Sequence, residues 1–278
     1  MKKSELPEDK WFIDGNLKFH YLDWGNSDAT TMLLVHGLCC EAHYWDFFAA
    51  NLRQDYHVIA LNQRGHGESI WAGNYRLEQY TDDLTKFIEG LALNDIVLIG
   101  HSLGAINVLL YTANHPDRVA RLVLVDQGPE INMEFVGKLQ KGLTNLTMVF
   151  DSEEEAIRQI TILESPRYSM EYKKHLVKHI MKPDNTGKLT FKYDPALRYS
   201  ELVRLEWLWS HMERITCPVL VVHGIESPLL LQEGARKMAD ILPNVSLRDI
   251  EHAGHFVMGD NPTAFEAAIR DFLSINTA

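Results

Sequence analysis

Short runs of branched apolar residues alternate with longer amphipathic stretches through the first half of the chain. Met32-Leu33-Leu34-Val35, Val58-Ile59-Ala60-Leu61, Ile96-Val97-Leu98-Ile99 and Leu122-Val123-Leu124-Val125 carry no polar position, as strands buried on both faces do not. Helical spacing fills residues 44–52, 77–91 and 103–114 between them, and the last stretch stops just ahead of Pro116, where a helix is disfavoured. Strands separated by helices imply crossover connections, hence an α/β fold with a mostly parallel sheet covered on both faces.

The alternation breaks after Gly128-Pro129. Residues 130–212 lose the strand signal; helices are expected over 135–150, 153–162 and 171–180, with a polar hairpin-like piece at 184–193. Regular order returns with Val219-Leu220-Val221-Val222, a helix over 231–241, a strand over 245–250 and a final helix over 262–273. Residues 1–129 and 213–278 are therefore expected to form one core domain, and 130–212 a helical cap over its active site.

Bulk properties narrow the partners. A chain of 278 residues with 46% hydrophobic content can bury a substantial core. With 27 basic against 38 acidic residues, net −11, it has no electrostatic pull toward nucleic acid or an anionic membrane. No run approaches the roughly 20 apolar residues needed to span a bilayer, and the polar first ten residues lack the apolar centre of a secretory signal. Cys39, Cys40 and Cys217 make an odd count with an adjacent pair. No disulfide framework follows, and a reducing, cytoplasmic setting is expected. The histidines show no metal-ligand spacing with Cys or carboxylates and no Gly-rich loop cradles a phosphate, so neither metal nor cofactor is expected.

Candidate chemistry begins at Gly100-His101-Ser102-Leu103-Gly104, where a buried strand passes into a helix. A serine on so sharp a turn needs small neighbours two positions to either side, and its hydroxyl is left exposed above the sheet. Ser102 is the expected nucleophile. The Leu103 N–H at the helix start is one expected oxyanion donor, and the Leu38 N–H, in the His36-Gly37-Leu38 loop after an earlier strand, is the second. Of 13 histidines, His255 lies on a glycine-containing loop between the last strand and the last helix. That loop belongs at the carboxyl edge of the sheet, where ligands collect. His255 is the expected base; His36 and His252 are read as structural loop residues.

Taken with Asn62-Gln63-Arg64-Gly65-His66-Gly67-Glu68-Ser69 and His115-Pro116-Asp117-Arg118-Val119, these motifs resemble the α/β-hydrolase superfamily in the right order over nearly the whole chain. The resemblance implies an eight-stranded-type sheet and a structural role for the Arg64 to Gly67 turn. Asn62, where relatives usually carry Asp, is a structural variation on this view. Relatives most often place the triad acid in a Gly-x-x-Asp turn; here that turn reads Gly224-Ile225-Glu226-Ser227, and serine cannot carry the charge that steadies an imidazolium. Glu226 is one alternative acid. Asp126, at the end of the strand after the nucleophile, is the expected one, because some members of the superfamily carry the acid there.

A serine nucleophile argues against the branches that need Asp at that position. The expectation is hydrolysis of a carboxylic ester, thioester or lactone through an acyl-enzyme. Met148, Phe150, Tyr193, Tyr199, Trp207 and Trp209 are candidates to line a pocket for a hydrophobic or aromatic small molecule, or to form the core of the cap. Three alternatives stay open: cleavage of a C–C bond in a vinylogous diketone, cofactor-independent dioxygenation of a heteroaromatic, and a non-catalytic binding module.

Overall fold

The structure, a computed structural model, describes residues 6–163, 165–200 and 204–274; the outermost ends of the expected core domain, and Glu164 and residues 201–203 within the expected cap, lie outside the described residues. Strand β1 (Glu8–Asp14) pairs antiparallel with β2 (Leu17–Asp23). Then come β3 (Thr31–Val35), α1 (Asp46–Leu52), β4 (His57–Leu61), α2 (Leu77–Gly90), β5 (Ile96–His101), α3 (Leu103–Asn114) and β6 (Val119–Val125). The insertion contributes α4 (Met133–Thr144), β7 (Val149–Phe150), α5 (Glu153–Leu163), α6 (Met170–Ile180), β8 (Met181–Pro183), β9 (Leu189–Phe191) and α7 (Trp209–Met212). The chain closes with β10 (Val219–Gly224), α8 (Gln232–Ile241), β11 (Val245–Ile250), α9 (Val257–Asp260) and α10 (Pro262–Ser274).

Eight strands form one sheet in the order β1-β2-β4-β3-β5-β6-β10-β11, with every pairing from β4 through β11 parallel. The two-residue period of each strand decides which core it feeds. Leu33, Val35, Leu98, Leu122, Leu124 and Val221 pack with α2, α3 and α8 on one face. Met32, Leu34, Val97, Ile99, Val123 and Val222 pack with α1 and α10 on the other. Runs apolar at every position are what two such cores require.

Winding reverses at β3, which has β4 on one side and β5 on the other. A crevice opens beyond the carboxyl ends of strands at such a reversal. Val35 is in register with Gly100, Gly100 with Leu124, and Val125 with Val222, so the loops after β3, β5, β6 and β10 open side by side.

Two features depart from the sequence expectation. The β1–β2 hairpin was not anticipated, although Asp14-Gly15 is a hairpin signal and Gly15 adopts a φ of +56°. Nor is the insertion purely helical: β7, β9 and β8 form a small antiparallel sheet. Residues 135–150 divide into α4 and β7, and strands of two or three residues are too short to show a period. The insertion has its own apolar cluster, in which Phe150, Ile160, Leu176 and Phe191 pack with Cys40 and Tyr44 from the core segment after β3.

Candidate active site

Ser102 occupies the turn between β5 and α3 with φ 53° and ψ −119°. A non-glycine residue held there costs about 1–3 kcal/mol, so surrounding structure has to impose it. A side chain at Gly100 would collide with the Gly104 carbonyl, and one at Gly104 with the Val35 carbonyl; only glycine at both positions lets β5, α3 and β3 approach so closely. The Leu103 N–H, first in α3, has no acceptor within the helix.

The loop after β3 closes on this turn. A Cβ on Gly37 would stand 3.1 Å from Ser102 Cβ and 2.9 Å from His101 Nδ1, so the glycine permits the approach that brings Leu38 to Ser102. Buried hydrogen bonds hold the loop. His36 Nδ1 donates to the Gly37 carbonyl (2.8 Å) and its Nε2 accepts the Gln63 N–H (3.1 Å). Gln63 Nε2 donates to the His36 carbonyl (2.6 Å), while Asn107 Nδ2 donates to Gln63 Oε1 (2.5 Å). The Cys39 N–H donates to His66 Nε2 (3.0 Å), and the Ala42 N–H to Asn62 Oδ1 (2.7 Å). His36, Asn62 and His66 thus act through the backbone of the segment around Leu38.

Asp126 follows β6, fully buried, at a φ of 50°. Its Oδ2 accepts from His255 Nδ1 (2.7 Å) and Ser227 Oγ (2.5 Å), and its Oδ1 from the Gly224 N–H (3.1 Å). With Nδ1 donating, His255 Nε2 carries the free lone pair. His101 Nε2 donates to the His255 carbonyl (2.9 Å), which ties the two loops together. Burial lowers the His255 imidazole to about 4, so it rests neutral near pH 7. Burial also raises the Asp126 carboxyl, and the bonds from Ser227 and Gly224 offset part of that rise.

Glu226, the alternative acid, is turned to the surface and paired with Arg167. The sequence marks position 227 as lacking a carboxylate but not what the serine does there, which is to donate to Asp126, just beyond the neighbouring strand. It also leaves unmarked His101, Gln63 and Asn107, none of which stands in a pattern that announces a supporting bond.

A cleft of about 480 Å3 is lined by Ser102, Leu38 and Leu103 together with the apolar Ile106, Ile131 and Val136. Of the six candidate pocket residues, Trp207 alone lines it. Phe150 and Tyr193 are buried in the insertion's core with Met148 against them, Tyr199 is exposed, and Trp209 packs under the main sheet. A larger open groove of about 1140 Å3, bordered by Arg53, Arg167 and Arg270, contains none of the candidate catalytic residues. No described helix is long and apolar enough to cross a membrane.

The sequence spacing marked no metal-ligand set; in the structure, atoms of His43, Asp46, His175 and His179 lie within 4.8 Å of one another. The four are split between segments far apart in sequence, so only folding unites them.

Residues 30–262 match the family model described as alpha/beta hydrolase fold. The chain is 24% identical over 259 residues to an esterase of Mycobacterium tuberculosis, covering 91% of this chain and 85% of that protein. It is 28% identical over 272 residues to a non-heme chloroperoxidase of Streptomyces lividans, covering 91% and 95%. The solved structure of an E-2-(acetamidomethylene)succinate hydrolase shares the fold with a TM-score of 0.88 at 23% identity, over 97% of this chain and all of that one. A parallel sheet reversing at β3, a serine on a glycine-flanked turn and a family match spanning most of the sequence lead to one statement: this chain belongs to the α/β-hydrolase fold family.

Proposed function

We propose that the protein is a serine hydrolase that cleaves a carboxylic ester, thioester or lactone through an acyl-enzyme on Ser102. The observation that carries this reading is the buried Asp126–His255 pair at 2.7 Å, on loops that converge with a serine held at a strained turn. The esterase among the chain's relatives supports the same chemistry.

In the proposed reaction Ser102 Oγ attacks the carbonyl carbon while His255 Nε2 takes its proton. The oxyanion that forms is met by the N–H groups of Leu38 and Leu103; losing one such donor typically costs about 3–4 kcal/mol of barrier. Asp126 steadies the imidazolium, which then protonates the departing alcohol or thiol as its bond to the carbonyl carbon breaks. Water, deprotonated by the same Nε2, attacks the acyl-enzyme; the acid leaves and Ser102 regains its proton. Residues 130–212 supply much of the cleft wall and act as its cap. The apolar lining of the cleft favours a hydrophobic acyl or alcohol portion.

A series of p-nitrophenyl esters of graded acyl length, run beside lactones and a vinylogous diketone, tests the reading. Esters or lactones should turn over, with kcat/KM rising from acetyl to medium-length acyl groups before the cleft is filled. Turnover of the diketone with none of any ester or lactone contradicts it.

The low imidazole pKa makes a pH prediction. Catalysis needs neutral His255, and burial lowers its pKa toward about 4. Asp126, 2.7 Å from Nδ1, pulls the other way by favouring the imidazolium, so the acidic limb of kcat/KM should move to lower pH in Asp126→Asn, where burial is left unopposed by that charge. A limb that stays in place or moves to higher pH would mean that Asp126 does not steady the imidazolium.

Ser227 provides a second check. In Ser227→Ala, Asp126 Oδ2 loses its 2.5 Å donor. A bond to a charged group contributes about 1.5–3 kcal/mol, and part of this should appear as a roughly tenfold fall in kcat with KM little changed. An unchanged kcat would mean that Ser227 does not steady the acid.

A further inference from the structure

Three imidazoles and a carboxylate converge outside the Ser102 cleft, where the insertion packs on the core. His43 lies in the short 3-10 turn Ala42–Trp45, and Asp46 opens α1 directly after it. His175 and His179 stand four apart on α6, so their side chains share one helix face. His43 Nδ1 and His175 Nε2 lie 2.7 and 2.9 Å from Asp46 Oδ2, and His43 Nε2 and His179 Nδ1 are 3.2 Å apart. An ion takes one nitrogen from each ring; with one atom chosen per residue, all four lie within 4.8 Å of one another, against edges of roughly 3.3 Å for a tetrahedral ion with bonds of about 2.0–2.1 Å, so binding would draw the side chains inward.

Two further observations point to a cation. Asp46 is 1% exposed, and its Oδ1 has no hydrogen-bond partner among the described residues, so a carboxylate oxygen has left water without a donor to replace it. The three rings also crowd each other, with centroids 3.9 Å apart for His43–His179 and 4.5 Å for His175–His179.

We propose that His43, Asp46, His175 and His179 form a binding site for a divalent transition-metal ion, with zinc the best match. A donor set of three imidazoles and one carboxylate suits zinc, whereas magnesium and calcium take oxygen ligands. The ion would join α6 of the insertion to the segment that begins at Leu38, fixing the cap against the core. The site does not depend on the reaction proposed for Ser102.

The test uses the purified full chain, freed of metal with a chelator and titrated with zinc, and with cobalt(II) as a spectroscopic probe. One zinc per chain should bind, the unfolding temperature should rise by several degrees and fall back on adding chelator, and cobalt should give the intense visible bands of a tetrahedral site. The double variant His175→Ala/His179→Ala should bind zinc more than about 100-fold more weakly and lose the temperature rise; even altering groups that only orient ligands costs 10–100-fold. Its circular dichroism reports whether it folds. If it does not, His179→Gln removes one partly exposed ligand, and zinc affinity should then fall at least tenfold. Absence of any zinc-dependent rise in unfolding temperature, or equal affinity in His179→Gln and the unaltered chain, overturns the proposal.

Discussion

Ser102→Ala is expected to lower kcat for the best ester roughly a million-fold, the scale seen when a triad serine is removed elsewhere. The methyl group occupies the same strained backbone at φ 53°, and the side chain is only partly buried, so the unfolding temperature should stay close to that of the unaltered protein. That combination separates lost chemistry from lost structure. If the variant keeps more than a few per cent of the original turnover, the nucleophile is another group. Residual rates above water are still expected, because the Leu38 and Leu103 N–H groups and the apolar cleft remain.

The second large effect distinguishes two carboxylates. Asp126→Asn should cost about 10⁴ in kcat. An amide offers His255 Nδ1 either an oxygen or an NH2 group, and the buried Ser227 hydroxyl and Gly224 N–H compete for that oxygen. When NH2 faces Nδ1, the ring's proton moves to Nε2 and the base is lost. Glu226→Gln removes only a surface pair with Arg167, whose side chains are 44% and 35% exposed. Exposed pairs contribute about 0–1 kcal/mol, so turnover should change by no more than about threefold. The reverse ranking, with Glu226→Gln inactive and Asp126→Asn active, would move the acid to the β10 turn.

Legibility in the sequence followed the range of the interactions involved. Strands β3 to β6 and β10 could be read because burial on both faces demands runs of apolar residues, a signal contained in four letters; the edge strand β11, with Ser246, Arg248 and Asp249, is legible from its place in the alternation instead. The Ser102 turn could be read because its glycines stand at a fixed spacing, two positions to either side of the serine, even though one of the contacts that demands them is with Val35 on another strand. Ser227 could not: its hydroxyl matters through Asp126, 101 positions away, and a serine in a loop carries no mark of its partner. The histidine cluster failed to register for the same reason. Its His175–His179 half has helical ligand spacing, but the spacing means little until the turn before α1 supplies His43 and the start of α1 supplies Asp46, which stands 129 residues before His175. The six residues weighed between a pocket lining and a cap core divide: composition marks residues that want burial but not where, and Met148, Phe150 and Tyr193 pack in the insertion's own core while Trp207 lines the cleft.

The most direct test of the central claim is covalent. A fluorophosphonate incubated with the full chain should add one phosphonyl group per molecule, and peptide mass spectrometry should place it on Ser102. Labelling should vanish in Ser102→Ala and slow markedly in Asp126→Asn. An enzyme that turns over its ester while taking up no label, or one labelled at a different residue, would contradict the account.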